Sequence, residues 1–160
     1  MKKKDTGFKA IICLAVATVV VAASSIALSQ MEGGNAVQGK YKDGTYTAQA
    51  DPDEKGDYAF VTVTIKNGEI ASVVWDEMYG GKLKSELCDS GDYVMYGESP
   101  LTWKGQAEAM STYVVEKQST EGAMNMADRY GYTDVVSGVS IYVGGFVSLV
   151  DEALADAENK

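Results

Sequence analysis

The 160-residue sequence contains no histidine. That excludes Ser-His-Asp and Cys-His nucleophile systems, an HExxH zinc site and any haem held by an imidazole. Cysteine is nearly as scarce, and of Cys13 and Cys88 only Cys88 lies beyond the apolar N-terminal run. No internal disulfide can form in the segment that follows, so its stability must come from packing. A lone thiol without a neighbouring base or second cysteine also makes no redox pair. Positive charge is thin as well. Setting aside Lys2, Lys3, Lys4, Lys9 and Asp5, the remainder carries 10 basic and 22 acidic residues, a net of −12. So acidic a surface repels nucleic acid and anionic headgroups, and no nucleic-acid role is expected.

What the chain does have begins with a run of 19 uncharged residues, Ala10 to Leu28, behind four lysines. At about 1.5 Å per residue such a helix matches a hydrocarbon core of roughly 30 Å. A cleavable signal usually has a shorter apolar run of about 7–15 residues, which favours a retained anchor. Ala27-Leu28-Ser29 before Gln30 also reads as a small-x-small cleavage site. Either way the lysines stay inside and the rest is exported: the cell membrane with the domain outside, or secretion after cleavage. Residues 1–29 are thus expected to be a signal anchor or signal peptide. The Gly-rich residues 30–40 read as a tether, and 41–157 as one domain.

Within that domain, Tyr and Thr alternate behind Asp43-Gly44, which predicts a strand over Gly44–Ala50. Tyr58 to Lys66 sets Val61, Val63 and Ile65 against Thr62 and Thr64. Asn67-Gly68 and Glu69 to Trp75 follow, so a hairpin is predicted. Asp76 to Pro100 shows little periodicity and is either a functional loop or a region whose structure the pattern does not reveal. Trp103, Ala107, Met110 and Val114 then recur at helical spacing across Thr102–Gln118. A short helix over Glu121–Arg129 is expected, with Ala123, Met126 and Ala127 inward. A last helix opens at Gly144-Gly145 with Phe146, Leu149, Val150, Ala153 and Leu154 as its stripe. The expected fold is α+β: a small antiparallel sheet with packed helices, preceded by one N-terminal transmembrane or signal helix.

Chemistry concentrates in Asp134-Val135-Val136-Ser137-Gly138-Val139-Ser140, followed by Ile141 and Tyr142. A glycine between two hydroxyls lets backbone N–H groups turn toward an anion, and a helix N-terminus nearby adds partial positive charge. The plainer alternative is that Ser137 and Ser140 cap the last helix. The acidic pairs Asp76-Glu77 and Asp89/Asp92 match no calcium loop and read as surface charge. Trp75, Tyr79, Tyr93, Tyr96, Trp103 and Tyr142 offer aromatic faces, with Trp103 expected in the core.

The order DGTYTA, IKNGEI and a final DxxSGxS before an apolar helix resembles the bacterial FMN-binding domain family, over about Lys40 to Ala155. The segments VVWDEMYGGKLKSE and WKGQAEAMSTYVVEKQ look closer to its membrane-immunogen-like branch. The resemblance implies an extracytoplasmic flavoprotein in which a flavin transferase joins FMN by a phosphoester to the last hydroxyl of a Ser/Thr-Gly-Ala-Thr motif. Carried over by position, Asp134 matches the leading acidic residue, Ser137 the first hydroxyl, and Gly138 the glycine. Val139 stands where alanine is usual and Ser140 where the acceptor threonine is. Tyr142 is the ring-contact candidate by proximity. The implied role is electron transfer between a membrane redox donor and an external acceptor, with no metal and no catalytic residue of the chain's own. A non-redox surface domain of the same fold is the alternative, and a stand-alone reductase the third.

Overall fold

Asn67 and Gly68 both take positive φ, 56° and 75°, the backbone that a two-residue hairpin turn demands. They join strand β2 (Tyr58–Lys66) to β3 (Glu69–Tyr79). The computed structural model describes residues 39–96, 99–125 and 131–158. Four strands form one antiparallel sheet in the order β1-β2-β3-β4, with β1 at Gly44–Gln49 and β4 at Lys82–Leu83. Three helices follow the pattern of the sheet: α1 (Lys84–Ser90), α2 (Trp103–Lys117) and α3 (Gly144–Ala157). The fold is α+β, as the alternation and helical stripes predict. The Ala10–Leu28 run lies outside the described residues; among those described, no helix is long and apolar enough to cross a membrane.

The core follows from periodicity. Val61, Val63 and Ile65 of β2 face inward with Ile70, Val73 and Trp75 of β3. Against them pack Trp103, Ala107, Met110 and Val114 of α2, and Phe146, Leu149, Val150, Ala153 and Leu154 of α3. At about 1.5–3 kcal/mol for each large apolar side chain buried, these two stripes carry most of the stability available to a domain without disulfides. At its centre the Trp75 ring stacks on Phe146 with centroids 4.7 Å apart and meets Trp103 edge-on at 5.6 Å. Both tryptophans are therefore core residues.

Two expectations change. Asp76–Pro100 is not one loop: β3 continues to Tyr79, turns at Gly80-Gly81 into β4, and runs on into α1. These elements are too short to imprint a period. Asp76 also holds the junction with a side chain rather than a ladder, its carboxylate accepting from Glu77 N, Ser85 N and Ser85 Oγ. The helix expected over Glu121–Arg129 is a turn across residues 121–125, with Ala123 fully buried. Met126, Ala127 and Arg129 lie outside the described residues.

Candidate functional site

Ser140 stands at the lip of a cavity of about 270 Å³ between the α1–α2 connection and the segment that leads into α3. Tyr93, Met95, Tyr96, Leu101 and Cys88 form its walls. Ser140 and Tyr96 are exposed, whereas Cys88 and Tyr93 are half-buried. The order of events along the chain explains the placement. The turn at residues 137–138 needs Gly138 at φ 81°. A Cβ there would lie 3.1 Å from Leu101 Cδ1, so glycine also permits the close approach of the α1–α2 connection. Val139 then turns into the core, 9% exposed, which leaves Ser140 facing outward. The bulkier residue at position 139 is thus absorbed by the core.

A residue that sequence patterning did not single out organises this lip. Gln106, on the buried face of α2 and fully enclosed, accepts at Oε1 from Ser140 N (2.7 Å) and Ile141 N (3.1 Å). Its Nε2 donates to Ser99 Oγ (3.0 Å) and Leu101 O (3.2 Å), and contacts Met95 Sδ at 3.4 Å. Ser99 Oγ in turn donates to Gly138 O at 3.0 Å. One amide therefore ties both walls of the cavity together. A long polar side chain three residues past Trp103, beside the apolar stripe of Trp103, Ala107, Met110 and Val114, was the available signal.

The remaining motif residues do not converge on the cavity. Asp134 is exposed and accepts from Asn125 Nδ2 at 3.0 Å. Ser137 is exposed on the turn. Tyr142 does not line the cavity; its ring meets Tyr132 edge-on at 6.5 Å and lies over the backbones of Gly131 and Gly144. Nor do Ser137 and Ser140 cap α3. The cap residue is Val143, with no side-chain bond, and Val143 N and Gly144 N both donate to Gly131 O. The N–H groups of Ser140 and Ile141, which the motif alone would turn toward an anion, are spent on Gln106.

Beside the cavity, Lys84 is buried with its ammonium paired to Glu77. It lies 4.8 Å from the ring centre of Tyr93 and 4.7 Å from that of Trp103. Lys104, on α2, is gripped by both oxygens of Asp89, which holds its ammonium above the usual lysine range. The acidic pairs thus serve structure: Asp76 and Glu77 fix the β3–β4 end, and Asp89 joins α1 to α2. Among the described residues, no group of three or more His, Cys, Asp or Glu is placed to hold a metal ion.

The residues present fit a covalently attached phosphoester on an outward hydroxyl. They do not form a backbone nest for a free phosphate. Ser140 would supply the oxygen of such an ester; Gln106 fixes its backbone, and Tyr93, Met95 and Tyr96 line the adjoining cavity.

No protein-family model matches the chain, and no curated protein matches it. It is similar to a Clostridium thermocellum protein known from a solution NMR structure, with 43% identity and a TM-score of 0.54, covering 74% of this chain and 93% of that one. It is also similar to a Clostridium perfringens protein known from a crystal structure. There the identity is 25% and the TM-score 0.55, over 73% of this chain and 88% of that one. Both are targets of the Northeast Structural Genomics Consortium.

Proposed function

The chain belongs to one family with the Clostridium thermocellum protein, and from the site it carries we propose a membrane-tethered extracytoplasmic FMN-binding electron carrier. A flavin transferase would join the flavin phosphate to Ser140 Oγ from an activated flavin phosphoanhydride, the anhydride P–O bond breaking as the ester forms, the other phosphate leaving and the hydroxyl proton being lost. The N-terminal run holds the domain at the outer face, or is cleaved to release it. The observation that carries this reading is an exposed serine whose backbone N–H is held by a buried amide at the edge of an aromatic-walled cavity. A bound flavin would supply one- and two-electron chemistry. Gln106 holds the Ser140 backbone, Val139 anchors the turn in the core, and Tyr93, Tyr96 and Met95 shield one side of whatever stands on Ser140. A covalent bond keeps a cofactor that would otherwise be lost by dilution outside the cell.

Full-length chain co-expressed with a flavin transferase tests it by intact mass and absorbance. The expected result is a gain of one FMN less water and a yellow protein, both lost in Ser140→Ala. An unchanged mass with no flavin absorbance overturns it. That outcome favours a non-redox surface domain, the reading supported by the amides of Ser140 and Ile141 being closed off by Gln106. NADH- or quinone-dependent turnover by the purified chain would instead point to a reductase.

A further inference from the structure

A second cavity, about 650 Å³, is not lined by Ser140; it is a groove between the outer edge of β3 and one face of α2. Its volume lies within the range of ligand sites, roughly 300–1,000 Å³. The backbone at its floor is open for a reason that can be read from the register. Lys66 and Glu69 close the two-residue hairpin. Such a closing pair is mutually hydrogen-bonded, so the N–H and C=O of Ile70 point away from β2. Gln118 takes both: its Oε1 accepts from Ile70 N at 2.7 Å and its Nε2 donates to Ile70 O at 2.9 Å. A side-chain amide here stands in for a neighbouring strand.

Ile65 pairs with Ile70 but Thr64 with Ser72, which makes Ala71 the extra residue of a bulge. Beyond it the backbone N–H and C=O groups of Val73, Trp75 and Glu77 point to the outer edge, while the Val73 and Trp75 side chains stay in the core. Glu77 N is satisfied by Asp76 Oδ1 at 2.8 Å, and β4 covers Met78 and Tyr79. Between the Gln118 plug and the Asp76 plug, the outward N–H and C=O groups of Val73 and Trp75 have no partner among the described residues. Four hydrogen-bonding groups at strand spacing call for an extended backbone.

The α2 wall specifies charge. Glu108, Thr112, Val115 and Glu116 line it, and neither glutamate forms an ion pair among the described residues. Lys104, at one end, is already held by Asp89. Eight helical residues separate the glutamates, about 12 Å along the axis at 1.5 Å each. Four residues of an extended strand span about 13 Å. Two side chains four apart on a strand lie on the same face, so they meet the two glutamates together.

We propose that this groove binds an extended segment of a partner protein, which adds to the edge of β3 and carries Lys or Arg at two positions four apart. A second copy is disfavoured on the same ground, because its β3 edge would bring its own Glu108 and Glu116. The proposal stands apart from the flavin site.

The ¹⁵N-labelled full chain in detergent micelles is titrated with acetylated, amidated Lys-Val-Thr-Val-Lys-Thr. The same peptide with Glu at both Lys positions is the comparison. The expected result is that the Val73 and Trp75 amides shift and exchange more slowly in the lysine peptide. Affinity should fall about fivefold with the glutamate peptide or in Glu108→Gln/Glu116→Gln, the scale of exposed ion pairs. Val73 and Trp75 amides that move with neither peptide overturn the proposal. So do equal shifts with both peptides, or the same shifts produced by raising protein concentration alone, which would assign the edge to a second copy.

Discussion

Gly138 and Asp43 show how single residues set the two turns on which the domain depends. At φ 81° a side chain at position 138 is strained, and a Cβ would press on Leu101 Cδ1 at 3.1 Å. Gly138→Ala should therefore cost about 1–3 kcal/mol in urea unfolding, and it should displace Ser140 enough to lower transferase-dependent flavin incorporation. A variant as stable as the parent would show that the turn relaxes freely. Asp43 works at the other end of the domain. Its carboxylate accepts from Gly68 N at 2.8 Å and Asn67 N at 3.0 Å, across from β1 to the β2–β3 turn. These bonds, Gly68 first, hold its carboxyl below the usual range. Its contribution is complete above the ordinary aspartate value, near pH 4, and is lost as the pH falls through the lower folded value. The difference in Tm between the parent and Asp43→Asn should hold steady from pH 7 to pH 5 and shrink below pH 4. A difference that grows on acidification would refute that role.

At the level of elements, what patterning predicts depends on how long a period lasts. Nine residues of β2 and fifteen of α2 repeat their apolar positions often enough to be legible, and the helix expected over Thr102–Gln118 runs from Trp103 to Lys117, with Thr102 and Gln118 as its caps. The two-residue β4 and seven-residue α1 are not, because neither completes a pattern. The candidate site divides in the same way. Ser140 and Gly138 stood out by local chemistry, since a glycine between hydroxyls is a local feature. Gln106 did not, because its partners Ser140 and Ile141 lie 34 and 35 residues away. Nor was it legible that Gln118 would plug a sheet edge 48 residues distant. Gln106→Leu keeps the volume of the side chain and leaves the two N–H donors without their acceptor. It should destabilise the domain by about 1–3 kcal/mol in urea unfolding, and its amide spectrum should change at Ser99, Leu101 and Ser140 together. Changes confined to α2 would mean that the cavity walls are held independently.

The whole molecule adds a term that no residue or element contains. The part beyond the N-terminal run carries a net charge of −12, and its described residues form two ion pairs, Lys84 with Glu77 and Lys104 with Asp89. Salt acts on these terms in opposite directions. It weakens the exposed Lys104 pair, worth little in any case, and it barely reaches the buried Lys84 pair. It also screens repulsion summed over the entire surface, which destabilises the compact state. At 10 mM ionic strength the screening length is about 30 Å, comparable to the domain; at 150 mM it is about 8 Å. Repulsion therefore dominates, and Tm should rise on going from 10 to 150 mM NaCl. The gain should be on the order of 1 kcal/mol, or about 4 °C for a domain of this size. Potassium chloride should reproduce it, since screening depends on ionic strength and not on the identity of the cation. A Tm that falls with salt would mean that the ion pairs at the β3–β4 end and between α1 and α2 outweigh the surface field.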